Sequence, residues 1–109
     1  METDALVVIR KAVAEDWDNA MELAFRVFLK YEAEEYGPEG TRNFAQFLTD
    51  EDLKKMFLAG EYLLFVAETE GKLVGLISLR SKNHISLLFV DEKYHRKGIG
   101  TALVKHPQA

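Results

Sequence analysis

Between His84 and Val104 the chain reads HISLLFVDEKYHRKGIGTALV: an apolar run, a short polar connector, a basic segment with two glycines and the start of a second apolar pattern. The residue types in the middle of that stretch suit the holding of an anion. Gly98 and Gly100 lack a Cβ, so the backbone there can turn tightly and bring successive amide N–H groups against a ligand. A helix beginning near Ile99 would direct its unpaired N–H groups and the positive end of its dipole to the same place. Arg96 and Lys97 add positive charge beside those donors.

Other phosphate-binding loops fail on spacing. A Walker loop needs Gly-x-x-x-x-Gly-Lys-Ser/Thr, and a dinucleotide fingerprint needs Gly-x-Gly-x-x-Gly early in a βαβ unit; neither run occurs. Metal chemistry is not supported either. The histidines are His84, His95 and His106, too scattered to suggest a site, and there is no cysteine to join them.

The elements that would position the loop can be read from periodicity. Ile85 to Val90 is apolar except at Ser86, which predicts a strand buried on both faces. Ahead of it, Tyr62–Glu68 and Lys72–Arg80 read as strands joined by a tight turn at Glu70-Gly71. Leu6 to Ile9 opens the chain as a short strand. Trp17, Ala20, Met21, Ala24, Phe25, Phe28 and Leu29 then recur at helical spacing, with Asp18, Glu22, Arg26 and Lys30 opposite. Gly37, Pro38 and Gly40 break that pattern, and Thr41 is positioned to cap a helix carrying Phe44, Phe47 and Leu48. Thr49-Asp50-Glu51-Asp52 is a second capping signal, ahead of Leu53, Met56, Phe57 and Leu58 with Gly60 as the stop. The aromatic residues at helical spacing read as core.

A chain of 109 residues with 48% hydrophobic content can bury one core, so a single domain over 1–109 is expected. Fourteen basic against eighteen acidic residues give a formal charge of −4, which argues against a general nucleic-acid binder. Acids crowd the first half, whereas Lys93, His95, Arg96 and Lys97 cluster at the proposed loop. The absence of cysteine excludes a disulfide framework and a thiol nucleophile, and no apolar run has membrane length. A cytoplasmic protein is the expectation.

The segment His95-Arg96-Lys97-Gly98-Ile99-Gly100, followed by Thr101-Ala102-Leu103 and preceded by Tyr94, resembles the pyrophosphate loop of the GNAT superfamily of acetyl-CoA-dependent N-acetyltransferases, Gln/Arg-x-x-Gly-x-Gly/Ala. His95 stands where that family usually has Gln or Arg. The resemblance implies an α/β (α+β) fold with a mixed, mainly antiparallel sheet flanked by helices, in the order β-α-α-β-β-β-α. It covers the first two thirds of such a domain, and the C-terminal strands of the family are missing from this chain.

It also implies a chemistry. An amine attacks the thioester carbonyl of acetyl-CoA directly, which needs a deprotonated amine, a stabilised oxyanion and a protonated leaving thiolate. By resemblance, backbone groups of Leu88, Phe89 and Val90 would pair with the pantetheine arm, while His95, Arg96, Lys97, Gly98, Ile99, Gly100 and Thr101 would hold the pyrophosphate. The family's thiolate-protonating Tyr has no counterpart here. His84 is a candidate general base because an imidazole ordinarily titrates at about 6.5, but a strand-end scaffold role is the plainer reading. Tyr31, Glu32, Glu34 and Tyr36 follow the first helix, where the family contacts its acceptor, and otherwise read as a solvated helix end. The expected function is acetyl transfer from acetyl-CoA to a primary amine; the alternative is a non-catalytic CoA-binding or assembly module, and a weaker one a general anion-binding domain. An unprotected edge at Ile85 to Val90 points to a homo-oligomer.

Overall fold

A computed structural model describes residues 6–81, 84–95 and 98–106. Four strands form one sheet in the order β1-β2-β3-β4, every neighbouring pair antiparallel: β1 (Val8–Lys11), β2 (Leu63–Thr69), β3 (Lys72–Ser81) and β4 (His84–Val90). Four α-helices accompany them: α1 (Trp17–Tyr31), α2 (Ala33–Leu48), α3 (Glu51–Leu58) and α4 (Ile99–Lys105). The expected order β-α-α-β-β-β-α holds, with α3 added before β2. That helix starts where its signal lies, the Asp50 carboxylate accepting from the Asp52 N–H at 2.8 Å, a cap of a kind that contributes about 1 kcal/mol.

The helices sandwich the sheet. On one face α1 buries Trp17, Ala20, Leu23, Ala24, Val27 and Phe28 against Leu64, Val66, Leu76, Leu87 and Phe89 of the sheet, with Leu48 and Leu53 closing the layer. On the other face Ile99 and Leu103 of α4 pack with Ala67, Val74, Ile77 and Leu79. Each large apolar side chain so buried is worth about 1.5–3 kcal/mol.

Three expectations are corrected. In α1 the inward stripe runs through Leu23 and Val27, while Leu29 is exposed and Phe25 half-buried; the sheet-facing stripe is rotated slightly from the predicted one. Thr41 caps nothing. Gly37, at φ +76°, is the break inside α2, and Pro38 opens the segment that follows, a position that tolerates proline because its missing N–H would be unpaired there. Finally, β4 is buried on one face only. Leu87 and Phe89 point into the helical layer, but Ile85 and Leu88 are 43% and 40% exposed, because β4 ends the sheet and α4 is only seven residues long.

Candidate functional site

The end of β4 is held by ties the apolar run does not announce. Asp91 is buried; its N–H donates to the Val74 carbonyl at 2.8 Å, and its carboxylate accepts from the Lys93 N–H at 2.9 Å and from Arg26 Nη1 at 3.1 Å. Burial pushes the Asp91 carboxyl up, but these hydrogen bonds and the charges of Arg26 and Lys72 outweigh it and hold the group below the usual carboxylate range. Beside it, Lys30 of α1 pairs with Glu92. The strand end, its connector and α1 are thus one unit.

From that anchored end the chain turns through Glu92–Tyr94 into the loop. His95 folds back: its Nε2–H donates to the Val90 carbonyl at 2.8 Å, and its ring lies 5.3 Å from that of Tyr31. The position that departs from the Gln/Arg pattern therefore fastens the loop to the strand. Tyr94 is half-buried against the apolar cluster that includes Ile99 and Leu103, with Lys72 Nζ 5.8 Å from the centre of its ring. Gly98 takes the left-handed conformation (φ +77°, ψ 8°) and starts α4, a geometry that costs a residue with a Cβ about 1–2 kcal/mol. The first intrahelical bond runs from the Ala102 N–H to the Gly98 carbonyl at 3.0 Å, so the N–H groups of Ile99, Gly100 and Thr101 lie ahead of the helix ladder. Among the described residues a Cβ on Gly100 would meet only Val90 Cγ2, at 3.8 Å, and none of them requires glycine at that position.

What sets the loop against the sheet is Gly75, which the sequence reading passed over. A Cβ there would lie 3.1 Å from Leu103 Cδ1, 3.3 Å from Ile99 Cγ2 and 3.4 Å from the Phe89 carbonyl. The bare backbone of β3 is therefore the floor on which α4 rests. A glycine inside an apolar strand is the signal for such an approach.

These pieces enclose a cleft of about 450 Å³ lined by Leu88, Phe89, Val90, Tyr94, His95, Gly98, Ile99, Gly100 and Thr101, with Val27, Tyr31 and Glu32 of the helical layer opposite. Eight of the eleven residues proposed from the sequence, Leu88 to Val90, His95 and Gly98 to Thr101, come together here. Arg96 and Lys97 lie outside the described residues. His84 is not brought in. It is exposed, roughly 20 Å up the strand from Val90 at about 3.3 Å per residue, and lines neither this cleft nor its neighbour.

That neighbour is a cavity of about 590 Å³ between α1, α2 and β4, lined by Phe28, Glu32, Tyr36, Gly40, Asn43, Phe44, Phe47 and Ser86 to Phe89. It meets the cleft at Glu32, Leu88 and Phe89. Glu32 is the joint between α1 and α2, its N–H donating to the Phe28 carbonyl and its own carbonyl accepting from the Tyr36 N–H. Glu32 as a residue is half-buried at this joint. Ser86 and Ser78 flank the buried Tyr62: its hydroxyl lies 2.6 Å from Ser78 Oγ and donates to Ser86 Oγ at 3.1 Å. Among the described residues no group of three metal-ligating side chains converges, and no helix is long and apolar enough to cross a membrane.

An antiparallel sheet with helices on both faces and a glycine loop leading from a strand end into a helix defines an α/β domain built around a strand–loop–helix cleft. The model of the acetyltransferase (GNAT) domain matches residues 32–109, and the chain belongs to that family. Solved structures agree on the fold. A GCN5-related N-acetyltransferase from Rhodopseudomonas palustris is 24% identical, with a TM-score of 0.77 over 96% of this chain and 66% of that one. A PaiA N-acetyltransferase from Thermoplasma acidophilum, solved with coenzyme A, is 21% identical, with a TM-score of 0.78 over 94% of this chain and 70% of that one. YjaB from Escherichia coli is 22% identical, with a TM-score of 0.70 over 94% and 64%. The chain thus spans about two thirds of the length of these structures.

Proposed function

We propose that the protein transfers an acetyl group from acetyl-CoA to a primary amine, with the cleft beneath β4 and the loop as the CoA site and the adjoining cavity as the acceptor site. The observation that carries this reading is the meeting of the two spaces at Glu32, Leu88 and Phe89: a donor lying along β4 and an acceptor entering between α1 and α2 would face each other there. The PaiA structure holds coenzyme A on the same fold.

The residues present fit such a donor. Amides of Ile99, Gly100 and Thr101 suit the pyrophosphate, with Arg96 and Lys97 supplying charge from the loop. Leu88, Phe89 and Val90 offer the outer edge of β4 to the pantetheine arm, and Leu88 its exposed apolar face. Acetyl-CoA, once bound, supplies a thioester open to a nucleophile. The protein's share is to orient both partners and hold their binding energy away from the reacting atoms. Proton removal from the amine is assigned to water, since His84 is remote. A cytoplasmic location fits this reading, and a second copy of the chain is proposed to cover the part of the β4 edge, at Ile85, that the pantetheine arm leaves free.

The test is calorimetric titration with CoA, followed by a transfer assay with acetyl-CoA. Micromolar binding with turnover supports the reading. Binding without turnover supports the alternative of a non-catalytic CoA-binding module, and no binding refutes both.

A further inference from the structure

We infer that the cavity between α1, α2 and β4 takes an amine carrying one positive charge and an aryl or similarly bulky apolar substituent, with its nitrogen beside Glu32. This deepens the acceptor assignment made above and rests on it. The cavity's wall is a run of aromatic rings: Phe28 stacks on Phe44 at 4.4 Å and faces Tyr36 at 5.6 Å, while Phe44 lies 5.8 Å from Phe89. Phe28 and Phe89 are held in the core, and Tyr36, 58% exposed, stands at the rim. A planar ring entering here finds offset and edge contacts already in place.

Polar and apolar surface share the lining, but charged groups in it are few. Among the described residues Glu32 is the one carboxylate or cation in the lining, and it also lines the cleft. At the floor Ser86 accepts from Tyr62, which leaves its own hydroxyl proton to donate, and Asn43 adds an amide. A linear polyamine would bring further ammonium groups to a lining that, among the described residues, offers one carboxylate. A singly charged amine with an apolar body satisfies the single carboxylate and covers the rings.

The experiment is calorimetric titration of the full chain with 2-phenylethylamine, ethylamine and spermidine, each with and without saturating CoA. The expected ranking places 2-phenylethylamine at least about tenfold tighter than either other amine, the scale of partial burial of one ring. Glu32→Gln should weaken 2-phenylethylamine about tenfold, and Tyr36→Ser about threefold, both with a native circular dichroism spectrum. Spermidine binding as tightly as 2-phenylethylamine, no amine binding at all, or a ranking and affinities untouched in both variants would overturn the inference. CoA titrated alone into the wild type reports on the cofactor cleft separately, so a failure there is distinguishable from a failure of amine selectivity.

Discussion

The two loop glycines do different work, and substitution should separate them. Gly98 holds a left-handed backbone, so Gly98→Val should lower unfolding free energy by about 1–2 kcal/mol as well as weaken CoA. Gly100 is constrained only by what approaches it, since a Cβ there meets ordinary contact. Gly100→Val should therefore keep wild-type stability within about 0.5 kcal/mol in urea melts while abolishing CoA binding. Equal stability losses in the two variants would contradict this division. Titratable residues make a second separable claim. The Asp16 carboxyl is held low by the guanidinium of Arg10, which donates at 2.7 Å and 3.1 Å, against the opposing effect of burial; Asp91 is held low by the bonds described above. A carboxyl depressed on folding contributes stability that is full above its unfolded pKa, about 3.9, and fades as pH falls through the lower folded value. Asp91→Asn should thus cost about 1–3 kcal/mol at pH 7, and urea melts should find the difference from wild type shrinking as pH falls below the unfolded carboxyl value of about 3.9. His84, remote from both cavities, gives the control: His84→Gln should leave turnover and its pH profile unchanged.

At the scale of elements, the cleft depends on how closely α4 rests on β3. Gly75→Val would force Leu103, Ile99 and the Phe89 carbonyl apart, and overpacking of this kind costs about 1–3 kcal/mol. Because the same contact sets the loop, CoA affinity should fall although Gly75 lies on the strand behind it. Leu103→Ala removes the nearest obstructing atom, so the double variant should lose less stability than the two single changes added together. Strict additivity in chemical denaturation would show that α4 is positioned by other contacts.

For the whole molecule, β4 ends the sheet among the described residues and carries exposed Ile85 beyond the residues assigned to the pantetheine arm, a surface suited to another strand or apolar face. Sedimentation velocity should show a concentration-dependent dimer, and Ile85→Lys should shift it to monomer with the circular dichroism spectrum retained. A monomer at all concentrations would remove the proposed homo-oligomer. The transfer assay on both forms then tells whether association contributes to turnover.

The sequence by itself determined most of the framework. Alternation with a glycine turn marked β2 and β3, Asp50 marked the start of α3, and the order strand, connector, glycine pair, helix marked the loop, because each depends on local backbone preferences and side-chain period. It placed β4 correctly but misjudged its surroundings, since a run of apolar residues says that faces are available for burial and not which neighbours cover them. The stripe of α1 was shifted for a similar reason, the docking of a helix on a sheet being set by partners distant in sequence, whereas the break at Gly37 was legible from the glycine and proline themselves. Only the tertiary structure joined Glu32 to Leu88 and Phe89, put Tyr62 between two serines, folded His95 onto Val90 and set α4 on the bare backbone of Gly75. Those are contacts between segments far apart along the chain or turned toward one another by packing, and residue spacing carries no record of them.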